Sequence, residues 1–134
     1  MRSEVIDLNV IGDERGSLIA LEQNRNVPFE IKRVYYLFHT REGVRRGLHA
    51  HKHTNQLVIP VSGGCMFLVD DGKTSRQVEL NKPNQGLLLE GPIWREMFDF
   101  TEDCVLMVLS DALYDESDYI RDYQEFLKYV GSTR

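Results

Sequence analysis

Three of the four histidines in this chain fall within five residues, at His49, His51 and His53 in the run Gly47-Leu48-His49-Ala50-His51-Lys52-His53. Residues two apart on a β-strand share a face. All three imidazoles can therefore stand on one side, with Ala50 and Lys52 on the other. Packing alone explains one inward histidine more readily than two or three in alternation. Such a group suits two chemistries. Imidazole nitrogens ligate divalent metals, and a histidine titrates near enough to neutrality to take and return protons.

Positive charge gathers around the group. Arg41, Arg45, Arg46 and Lys52 flank the histidines, and Arg33 stands on the preceding run. Most charge runs are solvated loops. Guanidinium forks also match phosphate oxygens, so beside a histidine group in an acidic chain these side chains read as an anion clamp. Tyr35 and Tyr36 are adjacent, so on a strand one phenol enters the interior and the other does not. Trp94, the single tryptophan, follows Gly91-Pro92 and is either core or a stacking face for a sugar or base. His39 ends its run and is expected to be exposed, and His53 stands peripheral to the pair.

The frame that must position these residues is mostly β. At 134 residues and 15.6 kDa the chain is one domain's worth of sequence, enough for a core without disulfide or metal staples. Runs suited to strands lie at about 4–10, 17–22, 31–39, 56–61, 65–69, 75–80, 86–90, 94–100 and 104–110. Turn residues separate them, among them an Asp71-Gly72 hairpin signal. This spacing predicts a barrel or sandwich, not alternating βαβ units. Farther on, Tyr119, Ile120, Tyr123, Phe126, Leu127 and Val130 recur at helical steps. They predict an amphipathic helix over 117–130, with Asp115, Glu116 and Asp118 near its start and Gly131 as its C-cap. Cys65 and Cys104 sit inside apolar runs and read as buried thiols.

The formal net charge of -5 argues against a nucleic-acid partner, which needs a basic face. It leaves room for one anionic small ligand held by a few local arginines. No apolar stretch reaches 18 residues, so no membrane-spanning helix is expected. Met1-Arg2-Ser3-Glu4 opens without an apolar leader, and the expected compartment is the cytoplasm.

The histidine spacing resembles the first motif of the cupin superfamily, Gly-x5-His-x-His-x(3-4)-Glu-x6-Gly, with Gly43, His49, His51, Gln56 and Gly63 on its positions. The second motif, Gly-x5-Pro-x-Gly-x2-His-x3-Asn, keeps Gly86 and Pro92 but has Trp94, Met97 and Thr101 at the remaining positions. Two of the four usual ligands are thus replaced, by Gln56 and Met97. A neutral amide and a thioether suit a hard divalent ion poorly, so no metal site is expected and the histidines are left to act as acid and base.

A closer match covers roughly residues 4–130. Its segments are Arg15-Gly16-Ser17-Leu18, Ile31-Lys32-Arg33-Val34-Tyr35-Tyr36, Arg46-Gly47-Leu48-His49-Ala50-His51-Lys52, Trp94-Arg95-Glu96-Met97 and Tyr114-Asp115-Glu116-Ser117-Asp118-Tyr119-Ile120-Arg121. Together they resemble the cupin-type, WxcM-like nucleotide-sugar 3,4-ketoisomerases. The resemblance implies an all-β fold in a single domain, 1–134. Its core would be a cupin-type antiparallel β-barrel (jelly roll) over about 4–112, followed by a short C-terminal α-helix. It implies a reaction on dTDP-4-keto-6-deoxyglucose in which the ketone moves from C4 to C3 through an enediol, with no cofactor required. By position, His49 would be the base at C3, His51 would shuttle a proton, and Tyr35 would bind the sugar or act as acid. Arg46 and Lys52 would hold the diphosphate, while Arg33, Arg15, Gly16, Gln56 and Trp94 would line the substrate pocket. The family carries His where this chain has Arg95. An arginine does not titrate near neutrality, so Arg95 stays outside the expected catalytic set, and an outward-facing position beside Trp94 would tolerate either cation. The Arg15-Gly16 turn resembles the branch that forms 3-keto-6-deoxy-galactose, a precursor of 3-amino-3,6-dideoxyhexoses.

Two other functions fit parts of this pattern. A cupin nucleotide-sugar 3,5-epimerase also moves protons through histidine, and a non-catalytic cupin could simply bind a nucleotide sugar. Small cupins commonly pair, and an open edge strand favours association. A homodimer is expected, with exchange of the 4–10 strand as its possible form.

Overall fold

Positions 56 to 60 of β6 (Gln56–Ser62) are all buried, where a strand with one wet face would alternate. The cause is a layered architecture. In the computed structural model, which describes residues 2–131, two five-stranded antiparallel sheets form the body of the protein. The first is ordered β1 (Arg2–Asp7), β9 (Gln85–Glu90), β6, β11 (Val105–Ser110), β4 (Arg33–Leu37). The second is ordered β12 (Tyr119–Ile120), β5 (Arg46–His51), β10 (Trp94–Phe98), β7 (Cys65–Asp70), β8 (Ser75–Leu80). A separate hairpin pairs β2 (Ile11–Asp13) with β3 (Gly16–Leu18). This is the jelly-roll barrel expected of a cupin.

Three apolar clusters hold the layers. Val58, Phe67, Val69, Leu87, Leu89, Met97, Leu106 and Val108 form the interior, with Tyr35 and Leu37 packed at its margin. Leu57, Ile59, Leu88 and Leu109 on the back of the first sheet lie under Val27 and Phe29. Ala50 and Trp94, on the back of the second sheet, lie under Ile120, Phe126 and Leu127. Both sheets are therefore covered on two faces, which explains the unbroken burial in β6. Cys65 and Cys104 are free buried thiols, as their apolar settings predict.

The strands expected over 4–10 and 31–39 are shorter, Arg2–Asp7 and Arg33–Leu37, and Ile11–Asp13 forms a strand of its own. The 17–22 strand ends at Leu18, and the chain beyond it turns into the irregular cover over the first sheet. The helix expected over 117–130 is shorter, α1 (Tyr123–Tyr129), and its N-cap is Asp122, whose carboxylate accepts from the Gln124 and Glu125 N–H groups. Upstream stand a 3-10 turn, Glu116–Asp118, and then β12, whose Tyr119 and Ile120 pair with His51 and Ala50. The open edge of β5 claims these two residues for hydrogen bonding, and that overrides the helical spacing of their side chains. Gly131, at φ +71°, follows the helix in the left-handed conformation expected of a cap. Among the described residues no helix is long and apolar enough to cross a membrane.

Trp94 is core, which corrects its assignment to the substrate pocket. It is 3% exposed and packs under α1, its ring 5.4 Å from Tyr123 and 6.0 Å from Phe126. Its indole N–H donates to Glu96 Oε2 at 2.8 Å. Alternation along β10 explains the outcome, because residues 94 and 96 share the outer face under the helix. Trp94→Ala is expected to cost about 3–5 kcal/mol, read as a lower urea midpoint at unchanged slope. Trp94→Phe should regain most of that loss.

Candidate functional site

The site is built on β5, and β5 is not regular. Arg95 pairs with His49 and Glu96 with Gly47, so Leu48 is an extra residue opposite the β10 ladder. Gly47 and Leu48 sit at φ +85° and +57°. Glycine suits this bulge for a second reason: a Cβ at position 47 would lie 3.1 Å from the Arg95 carbonyl oxygen. Residues paired across antiparallel strands share a face. Arg46, paired with Met97, therefore joins His49, paired with Arg95, on the inner face. In a regular strand Arg46 would point away from His49. Bulges commonly re-aim side chains in this way beside functional sites.

The inner face opens on a cavity of about 340 Å³, lined by Tyr35, Arg46, His49, Gln56, Arg95, Met97, Tyr119 and Arg121, among others. Arg46 and Arg121 are exposed, while Arg95 is buried at 3% exposure. The cavity thus has two guanidiniums at its mouth and one at its floor. His49 Nδ1 lies 3.0 Å from the Gly47 carbonyl oxygen. A carbonyl only accepts, so Nδ1 carries the hydrogen and Nε2 holds the free lone pair. His51 lies behind, its ring 5.0 Å from that of His49 and 4.4 Å from Tyr119. Its Nδ1 donates to Asp118 Oδ2 at 3.0 Å. Gln56 is tied into a network: Arg95 Nη1 donates to its Oε1 at 2.6 Å, and its amide donates to Ser110 Oγ at 3.0 Å and Tyr35 Oη at 3.3 Å.

Of the residues proposed from sequence, the fold brings Tyr35, Arg46, His49 and Gln56 to the cavity, with His51 directly behind. Arg33 stands beside it, its guanidinium 4.6 Å above the Tyr35 ring and 5.3 Å from that of Tyr114. Lys52 does not reach the cavity. It lies beyond the end of β5, its Nζ 6.0 Å from the Tyr129 ring of α1. Arg15 and Gly16 lie on the exposed β2–β3 hairpin, away from their own chain's cavity, and Arg15 forms an ion pair there with Asp13 at 2.6 Å. Arg45 is likewise engaged outside, with Glu96 at 2.8 Å and over the Phe98 ring. His53 contributes a backbone N–H to Asp118 from beyond the strand end.

The cavity's cations therefore come from different elements than the 41–52 run alone suggested. Arg95 faces inward, not outward beside Trp94. The signal was present in the sequence: residue 97 holds an inward ligand position of the cupin motif, and residue 95 is two steps from it on the same strand. No spacing signal marks Tyr119 and Arg121 as site residues, because Tyr119 fits the helical spacing and Arg121 lies within the span expected to be helical. The donor set does not suit a divalent ion. Beyond the two imidazoles it supplies no ligand: the Gln56 oxygen already accepts from Arg95, and Arg95 itself brings a positive charge. Among the described residues no three His, Cys, Asp or Glu side chains are grouped to hold a metal.

Comparison with known proteins agrees with this architecture. The family model described as "FdtA: WxcM-like, C-terminal" matches residues 1–131. The TDP-4-oxo-6-deoxy-alpha-D-glucose-3,4-oxoisomerase of Aneurinibacillus thermoaerophilus is 47% identical over 131 residues, covering 98% of this chain and 94% of that one. The crystal structure of a 3,4-ketoisomerase from Helicobacter canadensis superposes with a TM-score of 0.95 at 42% identity, over 98% of this chain and 99% of that one. A histidine-to-asparagine mutant of the 3,4-ketoisomerase from Thermoanaerobacterium thermosaccharolyticum, in complex with TDP-4-keto-6-deoxyglucose, superposes at 0.91 with 40% identity, over 96% and 93% of the two chains.

Burial and the Arg95 charge act together on the two imidazoles. Burial first, then Arg95, lowers His49 to about 3. The same two causes, opposed by Asp118, lower His51 to about 4. Burial also pulls Arg95 down to about 10, which leaves it charged at neutral pH, and pushes the Tyr35 phenol up, so that it stays protonated. A histidine that is neutral in the fold and titrates near 6.5 when unfolded binds more protons in the unfolded chain between those values. Stability then rises with pH across that window. Lowering the pH from 7 to 4.5 is expected to cost on the order of 2 kcal/mol or more in urea unfolding. His49→Asn should flatten that slope.

Proposed function

Because the chain belongs to the FdtA (WxcM-like, C-terminal) family, we propose that it catalyses the 3,4-ketoisomerisation of dTDP-4-keto-6-deoxyglucose. The observation that carries this reading is the chemical asymmetry of the cavity. His49 offers a neutral Nε2 lone pair, while the polar groups around it (Tyr35, Arg46, Arg95 and Arg121) are donors or cations. One base among donors is what proton abstraction next to a ketone requires.

His49 Nε2 takes the C3 proton, which the neighbouring ketone acidifies. Charge moves onto the C4 oxygen, where the Tyr35 hydroxyl and the Arg95 guanidinium offer donors inside a low-dielectric site. Protonation of that oxygen gives the enediol. The C3 hydroxyl then loses its proton, C4 gains one, and the ketone stands at C3. His51 is the second group able to hold a proton during the exchange. Arg46 and Arg121 at the mouth bind the diphosphate. The net change is an isomerisation, with no electrons exchanged with a partner.

Incubation with dTDP-4-keto-6-deoxyglucose, followed by NMR, should show loss of the C4 carbonyl signal and growth of one at C3. Epimer formation with exchange at C5 would instead identify an epimerase, and unchanged substrate a binder. His49→Asn should reduce turnover by at least 10²-fold, the lower range for general acid–base catalysis, while dTDP still binds and the near-UV spectrum is retained.

The reading extends to a homodimer. Residues 9–18 are exposed throughout, including Val10, Ile11 and Leu18, and the hairpin they form joins neither sheet of its own chain. β4 is an open sheet edge, with Val34 and Tyr36 exposed beside the cavity. A second copy's hairpin laid on that edge covers both surfaces and carries Arg15 toward the sugar, where it would favour the 3-keto-6-deoxy-galactose product. Within the single chain β1 pairs with its own β9, and exchange of N-terminal strands would reproduce the same ladder between copies. Light scattering should report twice the chain mass, and Arg15→Ala should change the product's C4 configuration or raise KM. A monomer with full activity would overturn this arrangement.

A further inference from the structure

Asp118 lies outside every motif that carries proton chemistry in the sequence, yet it is the most heavily bonded carboxylate near the cavity. Its Oδ1 accepts the His53 N–H at 2.8 Å. Its Oδ2 accepts the Thr54 hydroxyl at 2.5 Å, the Thr54 N–H at 3.3 Å and His51 Nδ1 at 3.0 Å. The residue is only 9% exposed. It closes the 3-10 turn just before Tyr119, whose backbone pairs with that of His51. Main chain and carboxylate thus grip the same histidine from one short segment.

The consequence for His51 follows from donor and acceptor counting. Burial opposes ionisation of Asp118, but the bonds from Thr54, His53 and His51 outweigh it and hold the carboxyl below its ordinary range. An ionised carboxylate has no hydrogen to give, so the shared hydrogen resides on His51 Nδ1. His51 Nε2 is then the one ring atom able to accept a proton, and it is buried with no hydrogen-bond partner. A buried polar atom left unpaired costs free energy.

We propose that Asp118 is a positioning residue for proton transfer: it holds His51 in the Nδ1–H tautomer and stabilises the imidazolium formed when Nε2 takes a proton. The charged or titratable groups facing His51 are Asp118, Arg95 on β10, Arg33 on β4, His49 on its own strand and Tyr119 on β12. Arg95 and Arg33 oppose protonation of the ring, and Asp118 favours it. Asp118 is thus the group that keeps His51 within reach of protonation.

The proposal rests on the ketoisomerase reading for its kinetic arm only. Long-range 1H–15N spectra of the histidine rings test the tautomer without substrate. The wild type should show His51 protonated at Nδ1 with a free Nε2, and Asp118→Ala should show a mixture or the reverse. In steady-state kinetics Asp118→Ala should lower kcat about 10²–10⁴-fold with KM changed less than threefold. The acid limb of its kcat/KM profile should move to lower pH, the sign expected when a stabiliser of the imidazolium is lost. Asp118→Glu should recover part of kcat. Because Asp118→Ala removes the acceptor of four hydrogen bonds, Asp118→Asn is measured alongside it: the amide keeps the shape and an acceptor but removes the charge, and should still lose at least tenfold in kcat. Wild-type His51 protonated at Nε2, or an Asp118→Asn variant with wild-type kcat and pH profile, would overturn the proposal. An intact tautomer in a chain that does not turn over the sugar would instead count against the ketoisomerase reading.

Discussion

A guanidinium buried without a carboxylate partner is the constraint around which this site is arranged. Arg95 donates to the Ile93 carbonyl and to the Gln56 amide oxygen, and none of the ion pairs among the described residues includes it. Burying a charge is costly unless it is well hydrogen-bonded, so these acceptors must be held rigidly. Gln56 is held in turn by Ser110 and supports Tyr35. The chain of contacts runs from β10 in one sheet to β6, β11 and β4 in the other. The bond that makes the buried cation tolerable also ties the two layers together at the cavity floor.

The same charge governs the acid–base state of the site. A histidine pair left to solvent would be partly protonated at neutral pH and so partly unable to accept a proton. Next to a fixed cation and out of water, both rings are neutral. His49 is therefore a base across the whole physiological range. The cost is a weaker base than an ordinary imidazole, and in the proposed reaction the cations of the cavity would offset it where the enediolate charge develops. In the proposed reaction the ligand would enter the balance as well: a diphosphate held by Arg46 and Arg121 would bring negative charge to a site that has, in itself, an excess of positive charge. The net charge of -5 describes the whole surface and conceals this local reversal.

What could be read from the sequence was whatever depends on regular alternation. His49 and His51 share a face because β5 is regular between them, and Tyr35 enters because β4 is regular throughout. Arg95 could have been placed by the same rule, counted from position 97. Arg46 could not, because its direction depends on a bulge at Leu48 that requires two successive residues at positive φ, one of them not a glycine. Arg15 and Gly16 illustrate another limit. Their motif is recognisable, but the exposed hairpin that carries them joins neither sheet and stands away from the cavity of its own chain.

The C-terminal segment shows how local periodicity and tertiary demand compete. From residue 119 onward the apolar spacing is helical, and a helix does form, but only after Asp122 caps it. The preceding residues are diverted because β5 has an unpaired edge at the position of its histidines. Pairing that edge fixes Tyr119 over both imidazoles, delivers Asp118 to His51 and turns Arg121 toward the cavity mouth, where Glu116 holds it at 2.7 Å. A helix begun at 117 would leave the edge open and carry these three side chains elsewhere. α1 then covers Trp94 and locks the short strand in place. The helix serves the site indirectly, by fixing the two-residue strand that closes it.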